Sequence, residues 1–233
     1  MRYSSIDPFG DILMIKMKRL IYLLLSLIIL LLAGCQIQFL TADTLPWVGE
    51  EKVLFRDDFS YETGGWRTYQ DSLSFAGYQS GGFRLWANVP HYQFWSVPGL
   101  NLQDTVVYTS ASKLDGPDDN IYGILCRYQD PANYYALVIG SDGYYGIFKM
   151  IAGQQTLIGQ PHMDFSEEIN RGKNSNEITA LCHENRLALI VNGTPLIQVE
   201  DSTLTYGDVG LIVGNFAETG VDILFDDFIV VKP

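Results

Sequence analysis

Two aspartates near the two ends of the chain could do chemistry as a pair. In "VLFRDDF" and "VDILFDDFIVV", strict alternation places Asp57 and Asp227 among apolar side chains. Their neighbours on these faces are Val53, Phe55 and Phe59 in the first segment, and Val221, Ile223, Phe225, Ile229 and Val231 in the second. A buried carboxylate needs a partner, and two close carboxylates need a proton or a cation between them.

If the first and last strands pair, Asp57 and Asp227 would come close together. Ca²⁺ prefers oxygen ligands, so these two carboxylates and nearby loop carbonyls could hold a structural Ca²⁺. The open alternative is that backbone amides and an Arg or Tyr side chain satisfy each acid separately.

A second group of residues has the composition of a sugar-binding surface. Alternation in "FRLWANV" turns the Phe, Leu, Ala and Val side chains inward, and "PHYQFW" adds aromatic rings in a loop or edge segment. The candidate glycan-binding residues are Arg84, Trp86, Asn88, Tyr92 and Trp95. Sugar C–H faces stack on rings and hydroxyls bind planar polar groups, so the five could form one patch. The open alternative is that Trp86 is covered by protein, as Trp usually is.

The cysteines and histidines have simpler expected roles. Cys126 and Cys182 each share a strand face with core-type residues, so both thiols should point into the same core. A disulfide between them would close a loop of roughly 57 residues and contribute about 4 kcal/mol; the alternative is two buried free thiols. No C-x-x-C pair or His cluster indicates a zinc site, and His91, His162 and His183 are expected on the surface or in loops.

The N-terminal region predicts where the protein is located. Lys16, Lys18 and Arg19 precede an apolar run at 20–33, which is shorter than the about 20 residues that span a bilayer. This order is typical of a secretory signal peptide. The sequence "LAGC" that ends at Cys35 resembles the lipobox of bacterial lipoproteins, which implies cleavage before Cys35 and acylation of its new N-terminus. The open alternative is an uncleaved membrane anchor with a chance cysteine.

We therefore expect three segments: a signal peptide at 1–34, a tether at 35–51 and one domain at 52–233. The mature protein would be anchored to the cell membrane through lipidated Cys35, on the extracytoplasmic face. Removal of residues 1–34 takes four of the 15 basic and two of the 27 acidic residues, which leaves a net charge near −14. Such a surface repels phosphates and excludes nucleic acid as a partner.

The rest of the chain is a succession of short strand-like segments. They are rich in Val, Ile, Tyr and Phe, many of them alternate, and turn signals such as Ser-Asp-Gly and Asn-Gly separate them. Because no helical segments lie between the strands, the pattern predicts an all-β fold. An antiparallel sandwich of two sheets, arranged as a jelly roll, is the natural candidate.

Several motifs carry a resemblance to a known group of domains. They are "DDFS", "GGW", "GILCRYQDPANYYALVIGSDGYYGIFK", "NEITALCHENRLALIVNG", "GDVGLIV" and "FDDFIVV". Over roughly residues 53–233 the chain resembles a concanavalin A-like, laminin-G-like jelly roll, and it is similar to the 3-keto-disaccharide hydrolase-like domains of bacterial surface proteins. Many domains of this shape bind glycans and some cleave them. Laminarinase-type enzymes of this fold carry E-x-D-x-x-E on one strand, a string that this sequence lacks.

The sequence therefore favours a membrane-anchored lipoprotein whose jelly roll recognises a polysaccharide or a surface protein without catalysis. Two alternatives stay open. One is an enzyme similar to the 3-keto-disaccharide hydrolases, and the other is a structural or assembly module with no small ligand. A structural Ca²⁺ is the only cofactor that the residues suggest.

Overall fold

The structure is a computed structural model that describes residues 52–233. The expected signal peptide at 1–34, Cys35 and the tether at 35–51 lie outside the described residues. Within 52–233 the chain forms sixteen strands and no helix long and apolar enough to cross a membrane. The strands are β1 Lys52–Asp57, β2 Tyr69–Gln70, β3 Ser74–Gln79, β4 Gly82–Ala87, β5 Gln93–Ser96, β6 Thr105–Asp115, β7 Asn120–Asp130, β8 Asn133–Ile139, β9 Tyr144–Ile151, β10 Gln154–Ile158, β11 Asp164–Phe165, β12 Asn176–His183, β13 Arg186–Val191, β14 Thr194–Glu200, β15 Asp208–Asn215 and β16 Val221–Lys232.

The strands form two antiparallel sheets, as predicted for a jelly-roll sandwich. The nine-stranded sheet has the order β14-β13-β12-β6-β16-β4-β3-β2, and β1 pairs with β16 beside it. The seven-stranded sheet has the order β10-β9-β8-β7-β15-β5, and β11 pairs with β9. Neighbours that are far apart in sequence, such as β7 and β15, show that the strands cross over between sheets.

The main core lies between the inner faces of the two sheets. Alternation in β4 holds as predicted, because Phe83, Leu85 and Ala87 are all fully buried there. Trp66, from the loop between β1 and β2, closes one end of this core. Its indole ring meets the Phe83 ring at 5.1 Å and the Phe228 ring at 4.8 Å. Offset and edge contacts of this kind stabilise aromatic clusters beyond the area that they bury.

A disulfide joins the two sheets through the core. Cys126 lies on β7 of the seven-stranded sheet and Cys182 on β12 of the nine-stranded sheet, and both are fully buried. Their sulfurs are bonded, with the Cα atoms 6.7 Å apart. The predicted disulfide is therefore confirmed, and it joins β7 of one sheet to the end of β12 in the other.

Asp201 ties the loop after β14 to the seven-stranded sheet. Its carboxylate accepts hydrogen bonds from Tyr135 Oη at 2.5 Å, from Lys149 Nζ and from the Thr203 backbone N–H at 2.9 Å. Burial alone would raise the pKa of Asp201, but the hydrogen bonds from Lys149, Thr203 and Tyr135 outweigh it and hold that pKa well below the ordinary value.

The first and last strands depart from strict alternation. β16 shifts register against β6 between Asp226 and Ile229, and Asp227 has φ 52°. Phe225 and Phe228 consequently both face the core, while Asp227 is exposed. An extra residue at such a bulge moves every following side chain to the opposite face.

Two parts of the predicted apolar faces are therefore wrong. Asp227 does not lie in the inward stripe of β16, and beyond the bulge Val230 faces the main core in place of Ile229 and Val231. β1 shows the same effect between Val53 and Phe55, which leaves Val53 56% exposed. Neither bulge contains a glycine that would have marked it in the sequence.

Candidate functional site

Asp57 is buried at the end of β1 and is satisfied by neutral donors. Its Oδ1 accepts a hydrogen bond from the Phe59 backbone N–H at 2.8 Å. Its Oδ2 accepts from Trp66 Nε1 at 3.0 Å and from Tyr78 Oη at 3.1 Å. Burial raises the pKa of Tyr78 to about 12, so its hydroxyl keeps the proton that it donates. Both carboxylate oxygens thus have protein partners. For Asp57 this matches the alternative in which a backbone amide and a Tyr side chain satisfy the acid without a cation.

Asp227 lies near Asp57 in the sheet, but Asp227 is exposed whereas Asp57 is buried. Asp57 pairs in register with Phe228, the residue after Asp227. The Asp227 side chain is on the exposed part of the bulge. Across residues 52–233 no group of three or more His, Cys, Asp or Glu side chains is arranged to hold a metal ion. Calcium binding by Asp57 and Asp227 stays a prediction.

Arg84 and Trp86 lie on the outer face of the nine-stranded sheet. Arg84 donates from Nε to Asp222 Oδ1 at 2.7 Å and from Nη2 to Asp222 Oδ2 at 2.6 Å. Its Nη1 donates to Gln79 Oε1 at 2.8 Å, and its guanidinium lies 5.4 Å from the centre of the Phe75 ring. The hydrogen bonds to Asp222 raise the pKa of Arg84. The donors of Arg84 are thus already engaged within the protein.

The structure does not gather the five candidate glycan-binding residues into one patch. Trp86 is half-buried on β4 of the nine-stranded sheet, and Asn88 is exposed just after that strand. Trp95 is half-buried on β5, which belongs to the seven-stranded sheet, and Tyr92, which precedes β5, is 53% exposed. Their role in glycan binding stays a prediction, now divided between two surfaces.

Tyr92 and Trp95 contribute to a groove on the outer face of the seven-stranded sheet, with a volume of about 400 Å³. Its walls come from β5, β7, β8, β9, β10 and the end of β15, and from the loops before β5, between β7 and β8 and after β15. The described lining residues are His91, Tyr92, Gln93, Trp95, Ile121, Pro131, Tyr134, Phe148, Met150, Gln155, Asn215 and Phe216. None of them is an Asp, Glu, Lys or Arg.

Aromatic rings form one wall of this groove. The Trp95 ring lies 5.8 Å from the Tyr134 ring and 6.1 Å from the Tyr128 ring. Tyr128 and Tyr134 stack on each other at 6.0 Å. Mutual packing fixes the orientation of these rings, so the wall is formed before any ligand arrives.

Amide side chains cross the groove from one rim to the other. Tyr134 Oη donates to Gln93 Oε1 at 3.1 Å, and Gln93 Nε2 donates to Gln155 Oε1 at 3.2 Å. Gln93 lies on β5 and Gln155 on β10, which are the two outermost strands of the sheet order. Contact between them over the outer face requires this face to be concave. Gly214 makes room for the bridge, because a Cβ there would lie 2.9 Å from Gln93 Cγ.

Sequence reasoning missed most of the groove. Alternation in "NYYALVIG" does separate Tyr134 from Tyr135, and the structure places Tyr135 in the main core and Tyr134 on the outer face. Nothing in the sequence indicates that β5 lies in the same sheet as β8 and β10, so Gln93, Tyr134 and Gln155 could not be grouped. His91, expected on the surface or in a loop, is exposed at the groove's rim.

Comparisons with known proteins define the fold. No protein-family model matches the chain, and no curated protein sequence is similar to it. Carbohydrate-binding module CBM66 from Bacillus subtilis is similar in structure, with a TM-score of 0.60 and 15% identity over 72% of this chain and 96% of that chain.

Two further solved structures are similar to this chain in fold at low sequence identity. The Bacillus licheniformis β-glucanase has a TM-score of 0.54 and 12% identity over 80% of this chain and 99% of that chain. A Bacillus subtilis protein of unknown function with a galectin-like fold has a TM-score of 0.56 and 13% identity over 78% and 98% of the two chains. At these identities the likeness shows the fold alone, and it confirms the jelly-roll sandwich predicted from the sequence.

Proposed function

We propose that the groove on the outer face of the seven-stranded sheet, which we call the glycan groove, binds a glycan without cleaving it. The observation that carries the proposal is the combination of a preformed aromatic wall with side-chain amides on a concave sheet face. Sugar rings present apolar C–H faces to aromatic rings and hydroxyls to planar polar groups. Trp95 and Tyr92 offer the rings, and Gln93 and Gln155 offer the amides.

The groove suits an uncharged ligand that bonds through hydroxyls. Burial raises the pKa of Tyr134 to about 12, so its hydroxyl stays protonated and neutral. The Gln93–Gln155 pair is held by a single hydrogen bond at the exposed rim. A sugar hydroxyl can replace that bond, because it both donates and accepts.

The lining residues also bear on catalysis. Glycoside hydrolysis commonly uses two carboxylates that flank the scissile bond, and no Asp or Glu is among the described residues that line the groove. This supports binding over cleavage. The resemblance to 3-keto-disaccharide hydrolase-like domains stays a prediction. Turnover of oxidised disaccharides by the purified protein would show that the protein is such an enzyme and would overturn our proposal of binding without cleavage.

A glycan array probed with the full chain in detergent tests the proposal. We expect Trp95→Ala to weaken binding to the strongest array ligands about 30-fold, since an aromatic stacking contact contributes about 2 kcal/mol. Trp86→Ala is the matched control, because it removes the same side chain from the other sheet. Equal loss in both variants, or loss in Trp86→Ala alone, would reject the glycan groove as the site.

We also propose that the domain is displayed outside the cytoplasm on a lipid anchor at Cys35. The buried disulfide between Cys126 and Cys182 supports this location, since disulfides persist in oxidising compartments. Metabolic labelling with radioactive palmitate tests the anchor: the wild type should be labelled and Cys35→Ser should not. Equal labelling of both proteins would refute it.

A further inference from the structure

A second cavity lies on the far side of β5 from the glycan groove. It has a volume of about 280 Å³, and we call it the Arg67 cavity. Its lining residues are Arg67, Tyr69, Asp71, Ser74, Tyr92, Gln93, Phe94 and Trp95. Tyr92, Gln93 and Trp95 line the glycan groove as well. The two spaces are therefore adjacent, with residues of the edge strand β5 lining both.

Arg67 presents an unused guanidinium to this cavity. Its backbone is fixed, because the N–H donates to Val97 O at 3.2 Å and the carbonyl accepts from Ser96 Oγ at 2.7 Å. Its side chain is exposed and makes no hydrogen bond or ion pair with any residue from 52 to 233. A guanidinium carries five N–H donors, so it is the strongest unsatisfied donor group beside β5.

Asp71 presents an acceptor to the same cavity. Its Oδ1 accepts hydrogen bonds from the Leu73 N–H at 2.8 Å, the Ser74 N–H at 2.7 Å and Ser74 Oγ at 3.1 Å. These bonds, that from Leu73 first, lower the pKa of Asp71 and keep it ionised. Its Oδ2 accepts no hydrogen bond from the described part of the chain. No ion pair joins Asp71 to Arg67, although both line one small space.

We propose that the Arg67 cavity is a second subsite that binds the next sugar unit of the same glycan. This inference rests on the proposed function of the glycan groove. Arg67 donates to hydroxyl and ring oxygens, and Asp71 Oδ2 accepts from a hydroxyl, while Tyr92 lies between the two units. Because Arg67 and Asp71 carry opposite charges, the lining of the cavity has no net charge that would favour a uronate or an amino sugar over an uncharged sugar.

A second subsite would restrict the class of ligand that the domain binds. A glycan that fills both spaces must pass over β5 and so must contain at least two linked neutral units. The domain would then recognise oligosaccharide stretches in preference to single sugars. The affinity should rise with chain length until the glycan fills both spaces. Beyond that length Arg67 makes no further contribution to the affinity.

Calorimetric titration of the full chain in detergent with size-graded oligosaccharides tests this. The probes are neutral β-1,3-glucan, β-1,4-xylan, α-1,4-glucan and β-2,6-fructan series of one to six units, with oligogalacturonates as a charged series. In the neutral series that binds, we expect affinity to rise about tenfold once the second unit is added, because hydrogen bonds to charged groups stabilise binding by amounts of that order. Arg67→Ala should remove this increase and leave binding of the shortest probe unchanged.

Arg56→Ala is the matched control, since Arg56 is also exposed but lies on β1 and does not line the Arg67 cavity. It should keep the length dependence of the wild type. Wild-type protein that binds no series would overturn the glycan groove and the second subsite together. Binding by the wild type with a length dependence that survives in Arg67→Ala, or tighter binding of oligogalacturonates, would overturn the second subsite alone.

Discussion

Removal of the disulfide that joins the two sheets should destabilise the domain by a calculable amount. Cys126 and Cys182 are 56 residues apart in sequence. A cross-link that closes a loop of this length lowers the entropy of the unfolded chain enough to contribute about 4 kcal/mol at 25 °C. The Cys126→Ala/Cys182→Ala double variant should therefore lose about 4 kcal/mol of its free energy of unfolding. With a urea m-value of about 2 kcal/mol per molar, the unfolding midpoint falls by about 2 M.

Equilibrium urea unfolding, followed by tryptophan fluorescence, measures this change. Because the unlinked unfolded chain is more expanded and exposes more surface, the m-value of the double variant should also rise. Wild-type protein unfolded with dithiothreitol present is the control, and it should give the midpoint of the double variant. A loss below about 1 kcal/mol, or a shifted midpoint with an unchanged m-value, would show that the disulfide does not act through the unfolded state.

Three further changes should alter stability. Asp57→Asn should cost about 2–3 kcal/mol in urea unfolding, because the N–H₂ group of Asn cannot accept a hydrogen bond, either from the Phe59 N–H or from Trp66 Nε1 and Tyr78 Oη; an unaltered midpoint would contradict this. Asp201→Asn should lower the melting temperature at pH 6, and the difference should shrink below about pH 4, since a lowered pKa stabilises only while the carboxylate is ionised; a constant difference down to pH 2 would contradict this. Gly207→Ala should cost about 2–3 kcal/mol, since its Cβ would lie 2.5 Å from the Arg127 backbone carbon; wild-type melting would disprove the clash.

The sequence predicts the fold better than it predicts the site. Alternation identifies the inward face of β4 correctly, since Phe83, Leu85 and Ala87 are buried as expected. The two cysteines could be paired for the same reason, because each lies on an inward face. Alternation fails at the bulge before Phe228, where Asp227 takes a positive φ without a glycine to announce it. Register shifts of this kind depend on neighbouring strands, which local sequence does not contain.

The site depends on which strands share a sheet. Trp86 and Trp95 are close in sequence and carry the same chemical signal, so a single patch was the simplest hypothesis. The chain passes from one sheet to the other between β4 and β5, which separates the two rings. The same crossing brings the Trp95 ring into contact with the Tyr134 ring, although the two residues are 39 positions apart in the sequence. Only the crossover pattern reveals that contact, and crossovers leave no local mark in the sequence.

The position of β16 within its sheet determines when the domain can fold. This strand is the last of the described chain to be synthesised, yet it pairs with β1, β4 and β6. Until residue 232 has left the ribosome, those three strands lack the neighbour that holds them together, so partial chains cannot complete the sandwich. The nine-stranded sheet can therefore close around β16 only late in the synthesis of residues 52–233, whereas the local hairpins of the seven-stranded sheet need no contribution from that strand.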